Sequence, residues 1–288
     1  MKYSNALLAA GALFSLTTIN AQAQLTVVNI GSTPTGESVL NSGPVQGVYD
    51  AVPNNGLTYT WSADANLLGT LESSYGYNTI VNAILADDPV IHDTPNLYDI
   101  PPNSGTYAIS TSDFGSGGQV DWWGSEAFIH FLNDQHYGGA NEGSNPWLWM
   151  LPATNPATQG FGAVSSTSLM GELFYNELGG HITGPTTTDF TNIQSGKYWS
   201  STEATFNYGY AWTYNTSNGD QDYFNDYKYL NNYALPIAGL ACTLVGNVEQ
   251  CSPNNPILPN SLVPEPEMFW LLLTGLGLLS IKRRGGIA

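Results

Sequence analysis

Asp121-Trp122-Trp123-Gly124-Ser125-Glu126-Ala127-Phe128-Ile129-His130-Phe131-Leu132-Asn133 is the stretch on which the fold turns. Trp123, Ala127 and Phe131 recur every four residues, and Phe128 and Leu132 widen the stripe. One side of a helix is therefore apolar, while Ser125 and Glu126 are expected to face out. Tyr137-Gly138-Gly139 ends it. A second amphipathic helix is expected over Ser168 to Leu178, carrying Leu169, Leu173, Phe174 and Leu178 and stopped by Gly179-Gly180. A shorter one is expected over Asn78 to Ala86, with Ile80, Ile84 and Leu85 on one side. Elsewhere Gly, Pro, Asn, Ser and Thr are too frequent for long helices, so strands and turns dominate and the class is α+β.

The strands are read from alternation. Leu25 to Ile30 forms a first strand, Gly31 to Val45 a polar loop, and Gly56-Leu57-Thr58-Tyr59-Thr60-Trp61 a second strand. Asp87 to Gly118 is crowded with prolines, glycines and acids and reads as a long surface insertion. Alternating aromatic and polar residues over Lys197 to Ser201, Gly209 to Asn215, Asp220 to Asn225 and Tyr229 to Pro236 give short antiparallel strands, with Asn218-Gly219 as a hairpin turn. Eight tryptophans, seventeen tyrosines and ten phenylalanines indicate a packed globule.

A family resemblance rests on Gly56-Leu57-Thr58-Tyr59-Thr60-Trp61, the helix containing Trp123 and Ala127, Leu132-Asn133 with Tyr137-Gly138-Gly139, and Trp149-Met150-Leu151-Pro152. Tyr198-Trp199-Ser200-Ser201-Thr202-Glu203, Ala211-Trp212-Thr213-Tyr214 and Ser217-Asn218-Gly219 follow in the same order. The segment from Gly56 to Ile237 resembles the DUF1566 domain, also called the C-terminal domain of Legionella collagen-like protein. The resemblance implies a C-type-lectin-like fold, two helices packed on short irregular antiparallel sheets with long loops. Two arginines usual in that family are missing, since Met150 stands within Trp149-Met150-Leu151-Pro152 and the closing segment reads Leu235-Pro236-Ile237. Apolar packing in place of a buried ion pair can be neutral for the fold, but it weakens any functional carry-over.

The two ends of the chain read as addresses. Lys2, the apolar Ala6 to Leu16 and the small-x-small site Ala21-Gln22-Ala23 make a signal peptide cut by signal peptidase, leaving Gln24 first. At the other end, Val263-Pro264-Glu265-Pro266-Glu267 precedes an apolar run of about 14 residues, Met268 to Ile281, and Lys282-Arg283-Arg284. The run is short of the ~20 residues of a comfortable membrane-spanning helix, and its length alone leaves a tail anchor or a terminal core helix open. Its flanks orient the carboxyl end toward the cytoplasm. The three-part pattern resembles the PEP-CTERM sorting signal of exported Gram-negative proteins. It implies recognition by an exosortase, transient anchoring in the inner membrane, and release to the cell surface or an exopolysaccharide matrix.

Charge follows the same division. Outside leader and tail only Lys197 and Lys228 are basic, against 21 acids, a net of −19. Such a body repels nucleic acid and anionic membrane surfaces. The organisation expected is signal peptide 1–23, a strand and loop 24–55, the lectin-like domain 56–240, a cysteine hairpin and Pro/Asn linker 241–262, and the sorting signal 263–288 with its short transmembrane segment.

Candidate sites are sparse. Trp122, Trp123, Trp147, Trp149, Trp199 and Trp212 could form a sugar-stacking platform, but Trp123, Trp149, Trp199 and Trp212 are assigned to the core. Tyr208, Tyr210, Tyr223, Phe224, Tyr227 and Tyr229, around the hairpins, are the better surface ligand-binding candidates. Asp220, Asp222 and Asp226 offer oxygen ligands of the kind calcium takes, without the spacing of an EF-hand. No other cofactor is indicated. His92, His130, His136 and His181 lack metal-ligand spacing, and no Gly-x-Ser-x-Gly elbow occurs. Cys242 and Cys251 are expected to close a disulfide hairpin around Gly246-Asn247. The reading that follows is a non-catalytic surface or matrix protein binding polysaccharide or protein. Its rivals are a carboxylate-dependent hydrolase or an oxidoreductase like the formylglycine-generating enzymes.

Overall fold

The computed structural model describes residues 25–34, 39–40, 43–54, 57–141, 147–157, 159–162, 168–178, 189–240, 242–245 and 248–251. The elements are β1 (Leu25–Thr33), β2 (Gly43–Asn54), β3 (Leu57–Ser62), α1 (Leu67–Tyr75), α2 (Tyr77–Asp87), β4 (Val90–His92), β5 (Thr106–Ala108), α3 (Trp122–Asp134), β6 (Trp147–Met150), β7 (Gly160–Phe161), α4 (Leu169–Glu172, continued by a π turn Leu173–Glu177), β8 (Lys197–Glu203), β9 (Ala211–Asn215), β10 (Asp220–Asp222), β11 (Ile237–Leu240), β12 (Cys242–Val245) and β13 (Val248–Cys251). Among the described residues, four helices and antiparallel sheets make a mixed helix-and-sheet protein. The signal-peptide site Ala21, Ala23 and Gln24 and the sorting motif Val263, Pro264, Glu265 and Pro266 lie outside the described residues. Among the described residues no helix is long and apolar enough to cross a membrane.

One sheet has the order β1-β2-β3-β11-β6 and a second the order β7-β10-β9-β8, with the hairpins β4-β5 and β12-β13 beside them. The first sheet separates two cores. Val45, Trp149 and Ala238 join the helical core of Ile80, Ile84, Trp123, Phe128 and Phe131. Val48, Trp61 and Ile237 face the other way, toward Phe174, Tyr198 and Tyr214. Ile237 and Ala238 are successive residues of β11, so strand alternation alone sends them to opposite cores.

Helix α3 begins where expected because the Asp121 carboxylate accepts the Gly124 N–H at 2.7 Å, capping the first turn. Trp123, Ala127, Phe128, Phe131 and Leu132 are all buried. Ser125 is buried as well, against expectation, because α3 is covered on more than one side; its hydroxyl donates back to the Trp122 carbonyl at 2.7 Å. Indole N–H groups then tie the helix outward. Trp122 donates to the Ser200 carbonyl and Trp199 to the Val120 carbonyl, both at 2.9 Å, clamping the start of α3 to β8. At the far end Asn133 exchanges two hydrogen bonds with the Trp149 backbone, at 2.7 and 3.0 Å, fixing α3 to β6.

Several expectations are corrected. The loop expected from Gly31 to Val45 is shorter, because β1 runs on to Thr33 and β2 starts at Gly43. Helix α1 had no counterpart in the reading of the sequence; Gly76, at φ +91°, turns the chain between it and α2. The Asp87 to Gly118 segment is not a surface insertion. It contains the β4-β5 hairpin and buries Ile91, Ile109 and Phe114. Its polar residues satisfy the backbone locally, as when Asp99 accepts the N–H groups of Asn96 and Gly105 at 2.9 and 2.6 Å. Tyr229 to Pro236 is not a strand either. It crosses between elements through single bridges, Val120 to Asn232 and Tyr198 to Tyr233, before β11 begins at Ile237. Asn218-Gly219 does sit in the β9-β10 turn, but within a four-residue loop that follows Asn215, and the Gly219 N–H closes it on the Asn215 carbonyl at 2.7 Å.

Candidate functional site

The segment Tyr227-Lys228-Tyr229 is built inside out: the lysine is fully buried while Tyr229 is 49% exposed. Lys228 and Tyr229 are the two middle residues of a turn closed by the Leu230 N–H on the Tyr227 carbonyl at 2.9 Å, and that turn buries the one and exposes the other. The Lys228 carbonyl accepts the Trp122 N–H at 2.8 Å, and the Lys228 N–H donates to the Gly209 carbonyl at 3.0 Å, which fixes that orientation.

Inside, the Lys228 ammonium lies 2.5 Å from Asp93 Oδ2, 3.4 Å from Glu203 Oε1 and 4.0 Å from the ring centre of Trp122. Asp93 Oδ2 also accepts from the Trp123 indole at 2.8 Å and from Asn96 Nδ2 at 2.9 Å. Burial pushes the Asp93 carboxyl above its ordinary value, and the Lys228 ammonium and Trp123 indole pull against it. A buried cation needs such a shell of acceptors and ring faces to offset its lost hydration. This centre draws together the turn after β4, the start of α3, the end of β8 and the strip carrying Tyr227 and Tyr229.

Outside, the same strip carries a continuous chain of rings. Tyr98 meets Tyr229 edge-on at 5.3 Å, and Tyr229 stacks on Tyr227 at 5.1 Å and 20°. Tyr227 lies 4.2 Å from Tyr210, Tyr210 5.3 Å from Phe206, Phe206 4.9 Å from Tyr223, and Tyr223 4.9 Å from Phe224. Both ends of the chain are anchored in the core, Tyr98 on Trp123 at 6.0 Å and Tyr223 on Trp212 at 4.5 Å. Gly209 makes room for this arrangement, because a Cβ there would sit 2.7 Å from the Tyr98 ring. The Tyr210 phenol hydrogen-bonds Tyr227, which raises its pKa to about 12. Phe206, Phe224 and Tyr229 are about half exposed, and Leu97 and Ile100 stand more open still on either side of Tyr98 and Asp99.

Of the expected tyrosines, Tyr210, Tyr223 and Tyr227 are brought together in this ribbon, and Tyr208 stands exposed beside Gly209. Tyr98 and Phe206 were missed. Phe206 lies two residues from Tyr208 and could have been found by its neighbourhood; Tyr98 comes from the segment read as an insertion, and no local signal points to it. Trp123, Trp149, Trp199 and Trp212 are buried, as expected of core residues.

The calcium candidates do not converge. Among the described residues no three His, Cys, Asp or Glu side chains form a group that could hold a metal ion. Asp222 Oδ1 instead accepts the Tyr223 and Phe224 N–H groups at 2.7 and 2.9 Å and Gln159 Nε2 at 2.8 Å. Asp226 is buried, paired with Lys197 and bonded by the Thr213 hydroxyl at 2.7 Å. Both acids therefore brace the turn that presents Tyr223 and Phe224.

Carboxyl groups shifted upward occur at several separate places. Asp121 is raised well above its usual value by burial and by its neighbour Asp113, with which it shares a hydrogen bond. Glu177 is pushed up to about 8 by burial and by the charges of Asp50 and Glu172. Asp87 is raised to about 6 by burial and by Asp134. Asp121 and Glu177 are buried, and Asp87 stands half-buried at the end of α2. An apolar cavity lined by Ala65, Met170, Leu173, Phe190, Tyr198 and Leu235 holds about 10 Å³, room for no more than a water.

Cys242 and Cys251 are cross-strand partners in the β12-β13 hairpin. Comparison with protein-family models, with curated proteins and with solved structures finds no match to this chain.

Proposed function

We propose that this is an exported binding module without catalytic activity that holds a polysaccharide of the cell surface or extracellular matrix on its aromatic ribbon. The observation that carries the reading is the row of seven touching rings, Tyr98 to Phe224, open to solvent along one strip and braced by a buried ion pair beneath. Aromatic edges and faces match the alternating hydroxyl and C–H surfaces of sugar rings, and a ribbon held rigid before binding loses little entropy on contact. The leader and the PEP-CTERM-like tail supply the route to the surface through signal peptidase and an exosortase. The DUF1566 resemblance and its C-type-lectin-like architecture are kept as the finer reading of the fold. Support comes from the order of helix α3, the Trp149 strand and the aromatic strands β8 and β9, and from the bonds joining Asn133 to Trp149.

A glycan and polysaccharide array probed with the exported protein, with calcium and with a chelator, tests this. Retention on at least one polymer, lost in Phe206→Ala and Tyr229→Ala, is expected. Absence of any retained glycan under both conditions would overturn it.

A further inference from the structure

We propose that the ribbon selects an uncharged polysaccharide chain and excludes polyuronates and sulfated polymers, an inference that rests on the binding reading above and adds the ligand class. Recognition of an anionic glycan needs a cation free to meet it. Between residues 3 and 281 the chain has only two, Lys197 and Lys228, and no arginine. Lys228 is wholly buried against Asp93 and Trp122, and Lys197 is paired with Asp226. Among the described residues the ribbon thus has no unpaired lysine or arginine with which to neutralise a carboxylate or sulfate, and a body of net charge −19 adds long-range repulsion.

A cationic polymer is disfavoured by the same bookkeeping. Asp93 and Asp226 are committed to the lysines, and Asp222 Oδ1 is saturated by two backbone N–H groups and Gln159. With those oxygens occupied, attraction of an ammonium would come chiefly from the diffuse field and would fade with salt. The groups that the ribbon does present are phenol hydroxyls, which both donate and accept, and the open faces of Phe206 and Phe224. Hydroxyl-bearing neutral rings match both. Two of the three acids considered for calcium, Asp222 and Asp226, serve instead as braces of the turn that carries Tyr223 and Phe224.

The test uses the exported protein and four soluble polymers: a neutral β-glucan, a neutral galactan, alginate and chitosan. Each is run in affinity electrophoresis or calorimetry at about 0.05 M and about 0.5 M salt with a chelator present. Retention by a neutral polymer, within about twofold at the two salts and weakened about tenfold in the Phe206→Ala, Tyr229→Ala double variant, is the expected result. Near-ultraviolet circular dichroism of that variant must match the parent, showing that the buried tryptophans are undisturbed. If the double variant is misfolded, Phe224→Ala alone is expected to weaken retention several-fold. Binding only to alginate or chitosan, or binding to the neutral polymer that salt abolishes, overturns the selectivity while leaving polysaccharide binding intact. Retention of none of the four overturns the ligand class; only a blank on the wider array overturns the binding reading as well.

Discussion

At the residue scale, Lys228 is the side chain whose replacement says most about the site. Its ammonium is fully enclosed, so removing it leaves Asp93 buried without a counter-charge. Lys228→Met is expected to lower stability by about 3–5 kcal/mol in urea unfolding. The double variant Asp93→Asn, Lys228→Met should recover at least half of that loss, because the uncompensated carboxylate goes with its partner. Additive losses would mean that packing rather than charge holds the centre. Glu177 makes a second prediction, with a sign. Its carboxyl keeps its proton in the folded protein up to about pH 8 and loses it near the ordinary 4.5 when unfolded. Between those values the folded form binds more protons, so this group makes stability fall as pH rises and level off above about 8. Glu177→Gln should flatten the slope between pH 5 and 8 and raise stability at pH 8 by on the order of 2 kcal/mol, measured as urea midpoints across that range. Neither role was legible in the sequence. Lys228 meets Asp93 across 135 residues, and an isolated lysine between two tyrosines reads as a solvated charge until the backbone shows which way it points.

At the element scale, what could be read was periodic and what could not was held by contacts distant in sequence. Helices α2 and α3 announced themselves by apolar stripes, whereas the Asp121 cap of α3 was read only from the structure. Helix α1 contains Gly69 and has no side-chain cap at Asn66, so its leucines gave no boundary to read; it is held by burial of Leu67, Leu68 and Leu71. The tyrosines of the ribbon were legible because they cluster around one hairpin, whereas Tyr98 arrives from a segment whose apolar residues are scattered among turn formers. Asn133 tests how elements are joined. Asn133→Ala would leave the Trp149 N–H and carbonyl without their present partners, at a cost of about 2–3 kcal/mol in thermal or urea unfolding. Asn133→Asp, which keeps the acceptor, should cost less. The β12-β13 hairpin carries a further prediction. With Val245 opposite Val248 at the turn, alternation makes Cys242 and Cys251 a non-hydrogen-bonded pair. Such pairs lie ~4.5 Å apart at Cα, within the range a disulfide spans. The exported protein should therefore resist alkylation by iodoacetamide until it is reduced, and full labelling without reductant would refute the bridge.

At the scale of the whole molecule, charge and address belong to one design. Lys2, Lys282, Arg283 and Arg284 stand in the proposed leader and tail; the residues between hold two lysines, both in ion pairs. A body of net −19 with an exposed aromatic strip stays dispersed through like charge, which offsets the tendency of open rings to self-associate. The sorting reading proposed above has the tail removed, and with it the apolar run Met268 to Ile281. Intact mass of the exported protein is therefore expected to correspond to a chain beginning at Gln24 and lacking Met268 to Ala288. The same preparation should run as a monomer in gel filtration at physiological salt, and high salt should promote association by screening the repulsion over a Debye length. A mass that retains Met268 to Ala288 would replace the sorting reading with a short permanent anchor. The ribbon would then work tethered to the membrane, where a bound polysaccharide is fixed to the cell rather than carried into the matrix.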